Sequence, residues 1–259
     1  VSQISILAEG VPWPPSIEEF YPPGWMYPWV TKFTVLVWIA VAVVLAFFLL
    51  CYRRPRLVPT RAQWMVESLY GFGRDNIARE MIGGREGIPF APYITSLFTF
   101  ILVMNIFTIV PFFQLPPTSH IAFPAVLAMI SWVLYNWVGI RRHGFFRYLK
   151  LMTMPPAPLW LMPLLIPLEF FSNFLLRPFT LSVRLFANMF AGHFILLVFT
   201  LGGFVLASSS SLFIKPISVL SFLMVILMTF LELLVAALQA YVFALLSALY
   251  VQQSLSEEH

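Results

Sequence analysis

Five long apolar stretches, separated by short polar or Pro-rich ones, organise the chain. The run from Phe33 to Tyr52 holds twenty residues without a charge, about what one helix needs to cross a hydrocarbon core of ~30 Å. It stops at Arg53, Arg54, Arg56 and Arg61. A second run covers about 90–115 and a third 120–140, and the third stops at Arg141, Arg142, His143, Arg147 and Lys150. Residues 159–207 and 216–251 are longer than one perpendicular span. As a helix the second would run to about 54 Å, so it must tilt, bend or project from the bilayer. Pro167 and Pro178 predict a kink or break in the first of these two. Gly202-Gly203 and the run Ser208 to Ser211 predict the loop between them. The expected fold is an all-α membrane protein of about five membrane-embedded helices, in a single integral membrane domain over 1–259. Its last two helices form a long, tilted antiparallel hairpin within 159–251.

The segments between these runs set the topology. Residues 1–31 are Pro-rich and cannot form a long helix; Trp13, Trp25 and Trp29 suit the headgroup layer beside the first span. No positive n-region followed by an apolar core marks a secretory signal there. Residues 60–87 interleave Trp64, Met65, Leu69 and Phe72 with Arg61, Glu67, Arg74, Asp75, Arg79, Glu80 and Arg85. That pattern predicts an amphipathic segment on the cytoplasmic membrane surface. Of the 15 Lys and Arg, 11 fall within residues 53–85 and the cluster at 141–150. Basic residues stay on the cytoplasmic side, so the N-terminus is expected outside and the C-terminal SLSEEH in the cytoplasm. A bacterial plasma membrane is favoured over an organelle.

Composition agrees and excludes several classes. Hydrophobic residues make up 60% and charged ones 10%, against roughly 25% charged in soluble domains. The net charge of +4 flanks apolar runs instead of forming a patch, so no nucleic-acid partner is expected. Cys51 is the lone cysteine, and Asp75 the lone aspartate. A membrane aspartyl protease is thereby excluded, and no H-E-x-x-H or phosphate-binding glycine loop occurs. No metal or cofactor is expected. Without an internal repeat, a stand-alone secondary transporter is disfavoured. His120 and His143, at span ends, read as solvated.

The last two stretches carry ionisable groups within the membrane: Glu169, Arg177, Arg184 and His193 in the first, Glu232 in the second, with Asn188 and Gln239 beside them. One charge at the bilayer centre costs on the order of 3 kcal/mol, so such groups mark an ion path or a buried pair. In an antiparallel hairpin, residues at one level share a constant index sum. Arg184 with Gln239 gives 423 and His193 with Glu232 gives 425, which puts the turn near residue 212. His193 and Glu232 would lie nearer the outer loop, suited to a proton relay or to a static interhelical bond. At 100° per residue Arg184, Asn188 and Ala191 share a face, with Ala187 near it, and His193 points almost the opposite way. Ala187 and Ala191, and Ala236, Ala240, Ala244 and Ala248 on the second stretch, would allow close approach of another helix. Arg177 reads as satisfying carbonyls freed by the Pro178 kink.

The stretches VRLFANMFAGH (183–193) and LELLVAALQAYVFALLSALY (231–250) resemble the a subunit of F-type ATP synthases. The similarity covers roughly 30–255 and includes Pro178 and Asn105 in NIFTIVP. It implies a non-catalytic, ion-translocating stator: Arg184 facing the carboxylates of a rotating c-subunit ring, Asn188 and Gln239 at the family's polar positions, and His193 and Glu232 on an outer access path. Glu169 falls near a family acidic position, assigned to an inner access path or to structure. Ala187 stands where many members carry Gly. Implied partners are the c ring, the peripheral-stalk b subunits, the rest of the complex and the lipid bilayer. The alternatives are a stand-alone ion channel or transporter, and a non-conducting assembly scaffold.

Overall fold

A computed structural model describes residues 32–51, 59–110, 116–153, 161–208 and 215–256. The Pro-rich 1–31, Arg53, Arg54 and Arg56, Leu115, and Ser209 to Ser211 lie outside the described residues. Among those described, every regular element is helical: α1 (Lys32–Cys51), α2 (Arg61–Gly71), α3 (Ala91–Ile106), α4 (Ala122–His143), α5 (Phe145–Thr153), α6 (Met162–Phe171), α7 (Arg177–Ala207) and α8 (Lys215–Leu255). π-helical segments extend α2 over Phe72–Arg79 and join α6 to α7 over Ser172–Leu176. Five helical stretches are long and apolar enough to cross a membrane, and the last two cover Met162–Ala207 and Lys215–Leu255. The chain is an all-α membrane protein.

Helix α3 stands at the centre, with Ala91, Ile94 and Ile101 fully buried. Against this core α8 turns the stripe Ala236, Ala240, Ala244 and Ala248, each at most 1% exposed. Hydrophobic transfer gives no drive between helices in lipid, so small side chains that permit close packing, and buried polar bonds, hold such bundles together. Two polar ties are on hand. Asn105 donates from Nδ2 to Ala236 O (3.2 Å) and accepts from Thr118 Oγ1 (2.8 Å). Ser131 Oγ on α4 lies 2.7 Å from Tyr93 Oη on α3 and 3.2 Å from Ser247 Oγ on α8. Helix α1 buries only Phe33, Leu36 and Ala40, all in its first half.

The hairpin register follows the constant index sum. A Cβ on Gly192 would sit 3.3 Å from Glu232 Oε1, and one on Gly203 would sit 3.2 Å from the Phe222 ring. Those pairs sum to 424 and 425. Ser218 and Ser221 donate across the hairpin to Gly203 O and Phe199 O. Gly202 and Gly203 are therefore not loop residues. They lie inside α7, where the missing side chain at 203 lets α8 close in; the helix ends only at Ala207.

The second apolar run is also shorter as a helix than its 90–115 extent, since α3 ends at Ile106 and turns over 107–109. Helix α2 starts at Thr60, whose Oγ1 accepts from the Gln63 amide (3.3 Å). Asp75 takes a two-point bond from Arg74 and a further one from Arg79. Arg142 at the end of α4 reaches Glu86 (2.8 Å), so the end of α4 and the charged segment from Arg61 to Glu86 meet at one end of the bundle. Helix α5, absent from the expected elements, folds back there on Gly144, whose φ of 80° suits glycine alone. Its Tyr148 ring occupies the space a side chain at Gly139 would need and donates to Asn136 Oδ1 (3.1 Å).

Candidate functional site

Helix α7 has two faces, set by its 3.6-residue period. Leu181, Leu185 and Met189 are buried to 2% exposure or less and pin it to the bundle. Arg184, Ala187, Ala191 and Ile195 are exposed, with Asn188 half-buried beside them. Arg184 thus stands on an outward surface of the membrane region, flanked by methyl-sized neighbours. Gln239 lies at its level by the register but is 8% exposed and points inward. No hydrogen bond joins the two among the described residues.

Glu232 lies on the inner side of α8, 3% exposed, against the backbone of Gly192. Both its carboxyl oxygens are buried and accept no hydrogen bond from described residues. His193, next to Gly192, is half-buried with Nδ1 shielded. The hairpin brings His193 and Glu232 to one level, with Gly192 against Glu232, although no direct hydrogen bond joins them. Buried carboxyl oxygens without a donor are costly at membrane depth. Nine residues of helix separate His193 from Arg184, or about 13 Å along the axis.

Glu169 sits at the basic end, half-buried, and accepts from Asn173 Nδ2 (3.2 Å), which also donates to Met152 O (2.6 Å). Arg177 does not serve the Pro178 kink as expected. Its guanidinium lies over the Tyr250 ring, 5.2 Å from the centroid, a favourable cation–π contact. The carbonyls of Asn173 and Phe174 are served instead by Tyr135 Oη (3.3 Å) and Trp132 Nε1 (3.0 Å) of α4. Nor are the two span-end histidines simply solvated: His120 packs between Phe33 and Phe123, and His143 Nε2 is buried.

Asn105, fully buried, was visible in sequence only as part of NIFTIVP. In the structure it binds α8 at Ala236, midway between Glu232 and Gln239. Trp132 and Tyr135 carried no sequence signal, because an aromatic in a span reads first as lipid-facing.

Comparison with known proteins agrees with this arrangement. The family model described as ATP synthase A chain matches residues 34–252. An ATP synthase subunit a from a Nocardioides species is 44% identical over 233 residues, covering 89% of this chain and 83% of the relative. The subunit a of Rhodococcus erythropolis is 42% identical over 95% of this chain and 91% of its own. That of Pseudarthrobacter chlorophenolicus is 42% identical over 93% and 92%. A match over nearly the whole chain, with Arg184, Asn188, His193, Glu232 and Gln239 all inside it, places this protein in the ATP synthase subunit a family.

Proposed function

We propose that the chain is the stationary ion-conducting subunit of a rotary ATP synthase, without covalent catalysis of its own, and that two offset half-channels meet at Arg184. The observation that carries this is the outward exposure of Arg184 among Ala187 and Ala191. A lone cation on a lipid-depth surface is costly unless a partner covers it, and alanine neighbours leave room for a helix ring bearing carboxylates. Protons enter from the outer side past His193 and Glu232 and load a carboxylate of the c ring. They leave toward the cytoplasm near Glu169 after the ring has turned. Arg184 holds the passing carboxylate ionised, since a nearby positive charge favours that form, and blocks direct passage between the half-channels. Asn188 and Gln239 complete the polar lining around it.

The basic end of the bundle is the cytoplasmic one in a bacterial plasma membrane, by the excess of Lys and Arg there. The N-terminus then lies outside and the C-terminus inside, and the charged surface segment over 60–87 is a contact for the peripheral-stalk b subunits. The test is ATP-driven acidification of inverted vesicles carrying the complex with Arg184→Ala, after equal assembly is confirmed. Loss of acidification is expected. Unchanged acidification would leave the chain a scaffold.

A further inference from the structure

Proline has no N–H, so Pro178 leaves open the carbonyls its amide could have reached. In the α pattern that carbonyl is four residues back, at Phe174; in the π pattern it is five back, at Asn173. The Arg177 amide closes the preceding π bond, to Ser172 O. The two carbonyls facing the missing donor are the two that α4 serves. Trp132 Nε1–H donates to Phe174 O at 3.0 Å, and Tyr135 Oη–H donates to Asn173 O at 3.3 Å. The donors are three residues apart and share one face of α4. The indole also meets the Phe174 ring edge-on, with centroids 6.5 Å apart.

We infer that Trp132 and Tyr135 are surrogate donors for the missing amide of Pro178, and so are positioning residues that hold the π kink between α6 and α7. The kink joins two unequal partners. Helix α7, with Arg184, is pinned by Leu181, Leu185 and Met189, whereas α6, with Glu169, buries no side chain. A π turn carries an extra residue, so its collapse into α-helix would rotate one partner by about 100° relative to the other. The looser α6 takes that rotation, and Glu169 moves with it. Without the α4 donors, two carbonyls at membrane depth would lose these bonds, and unsatisfied backbone groups there force local rearrangement. The kink thus fixes where Glu169 stands relative to Arg184. Its effect on ion flow rests on the proposed function; the donor substitution itself does not.

The test is a double-mutant cycle in the assembled complex: Trp132→Phe, Pro178→Ala and the two combined. Phenylalanine keeps the ring and removes the N–H, while alanine at 178 restores an amide. Trp132→Phe alone is expected to cut ATP-driven pumping about fivefold, the worth of one hydrogen bond. In the Pro178→Ala background the same change should cost less than about twofold, because the restored amide serves Phe174 O. An equal loss in both backgrounds, or no loss in either pumping or the temperature at which the chain leaves the complex, would overturn the proposal. The same cycle is read on the temperature at which the chain leaves the purified complex, which needs no ion path. Coupling there without any change in pumping would sustain the surrogate donors and count against the role given to Glu169. If Trp132→Phe fails to assemble, Tyr135→Phe, which removes a single oxygen, runs through the same cycle.

Discussion

Around Glu232 the room is set by one hydrogen atom. A Cβ on Gly192 would stand 3.3 Å from its Oε1, tighter than an ordinary contact. Gly192→Ala should therefore slow pumping only a few-fold, because a carboxylate end can give by a few tenths of an ångström. Gly192→Val should slow it by about tenfold or more, the scale of a 1–3 kcal/mol overpacking penalty. Pumping rates of the two variants at equal assembly check this, and equal rates for valine and wild type would contradict it. The level of this contact was legible beforehand, since the constant index sum follows from antiparallel geometry alone. The absence of a direct His193–Glu232 hydrogen bond was not legible, because register fixes height along a helix and leaves side-chain direction to local packing.

Among the elements, α3 and α8 owe their relative height to Asn105. Its Nδ2 and Oδ1 bind α8 and Thr118 in a fully buried setting. Asn105→Ala should destabilise the chain by about 1–2 kcal/mol, as for interhelical bonds of this kind. Unfolding titrations in mixed detergent would measure that loss; no loss would mean water replaces both bonds. The apolar runs predicted the long helices well, because lipid demands closed backbone hydrogen bonding over about twenty residues. Sequence misled at Gly202-Gly203, since glycine permits both a turn and a close approach, and only the partner helix decides which. Helix α5 escaped notice because the basic run at its start reads simply as a stop signal.

At the surface segment, pH offers a separate check. The Arg74 hydrogen bonds, and its charge, hold the Asp75 carboxyl below the usual carboxylate range, and Asp75 in turn raises Arg74. A depressed carboxyl stabilises the fold above its unfolded value and loses that contribution as pH falls through the folded one. The segment should keep its ion pair down through the ordinary carboxylate range, near pH ~3.9. A carbon-13 titration of the Asp75 carboxyl should show a midpoint below that value; one at or above it would contradict the pairing.

Over the whole molecule, two kinds of small-residue stripe serve different ends. Ala236, Ala240, Ala244 and Ala248 are spent inside, where α8 meets the core, whereas Ala187 and Ala191 remain exposed beside Arg184. Sequence showed both stripes but could not tell which packs inside; burial separates them. On the proposed function Arg184, an exposed cation in the middle of α7, lies between an outer polar pair and an inner carboxylate. The central claim is that Arg184 divides two half-channels. Passive proton flux under an imposed potential, measured in Arg184→Ala vesicles with the complex fully assembled, tests that claim most directly. Flux should persist or rise while ATP-driven pumping is lost. Vesicles as proton-tight as those lacking the complex, or pumping that continues unchanged, would contradict it.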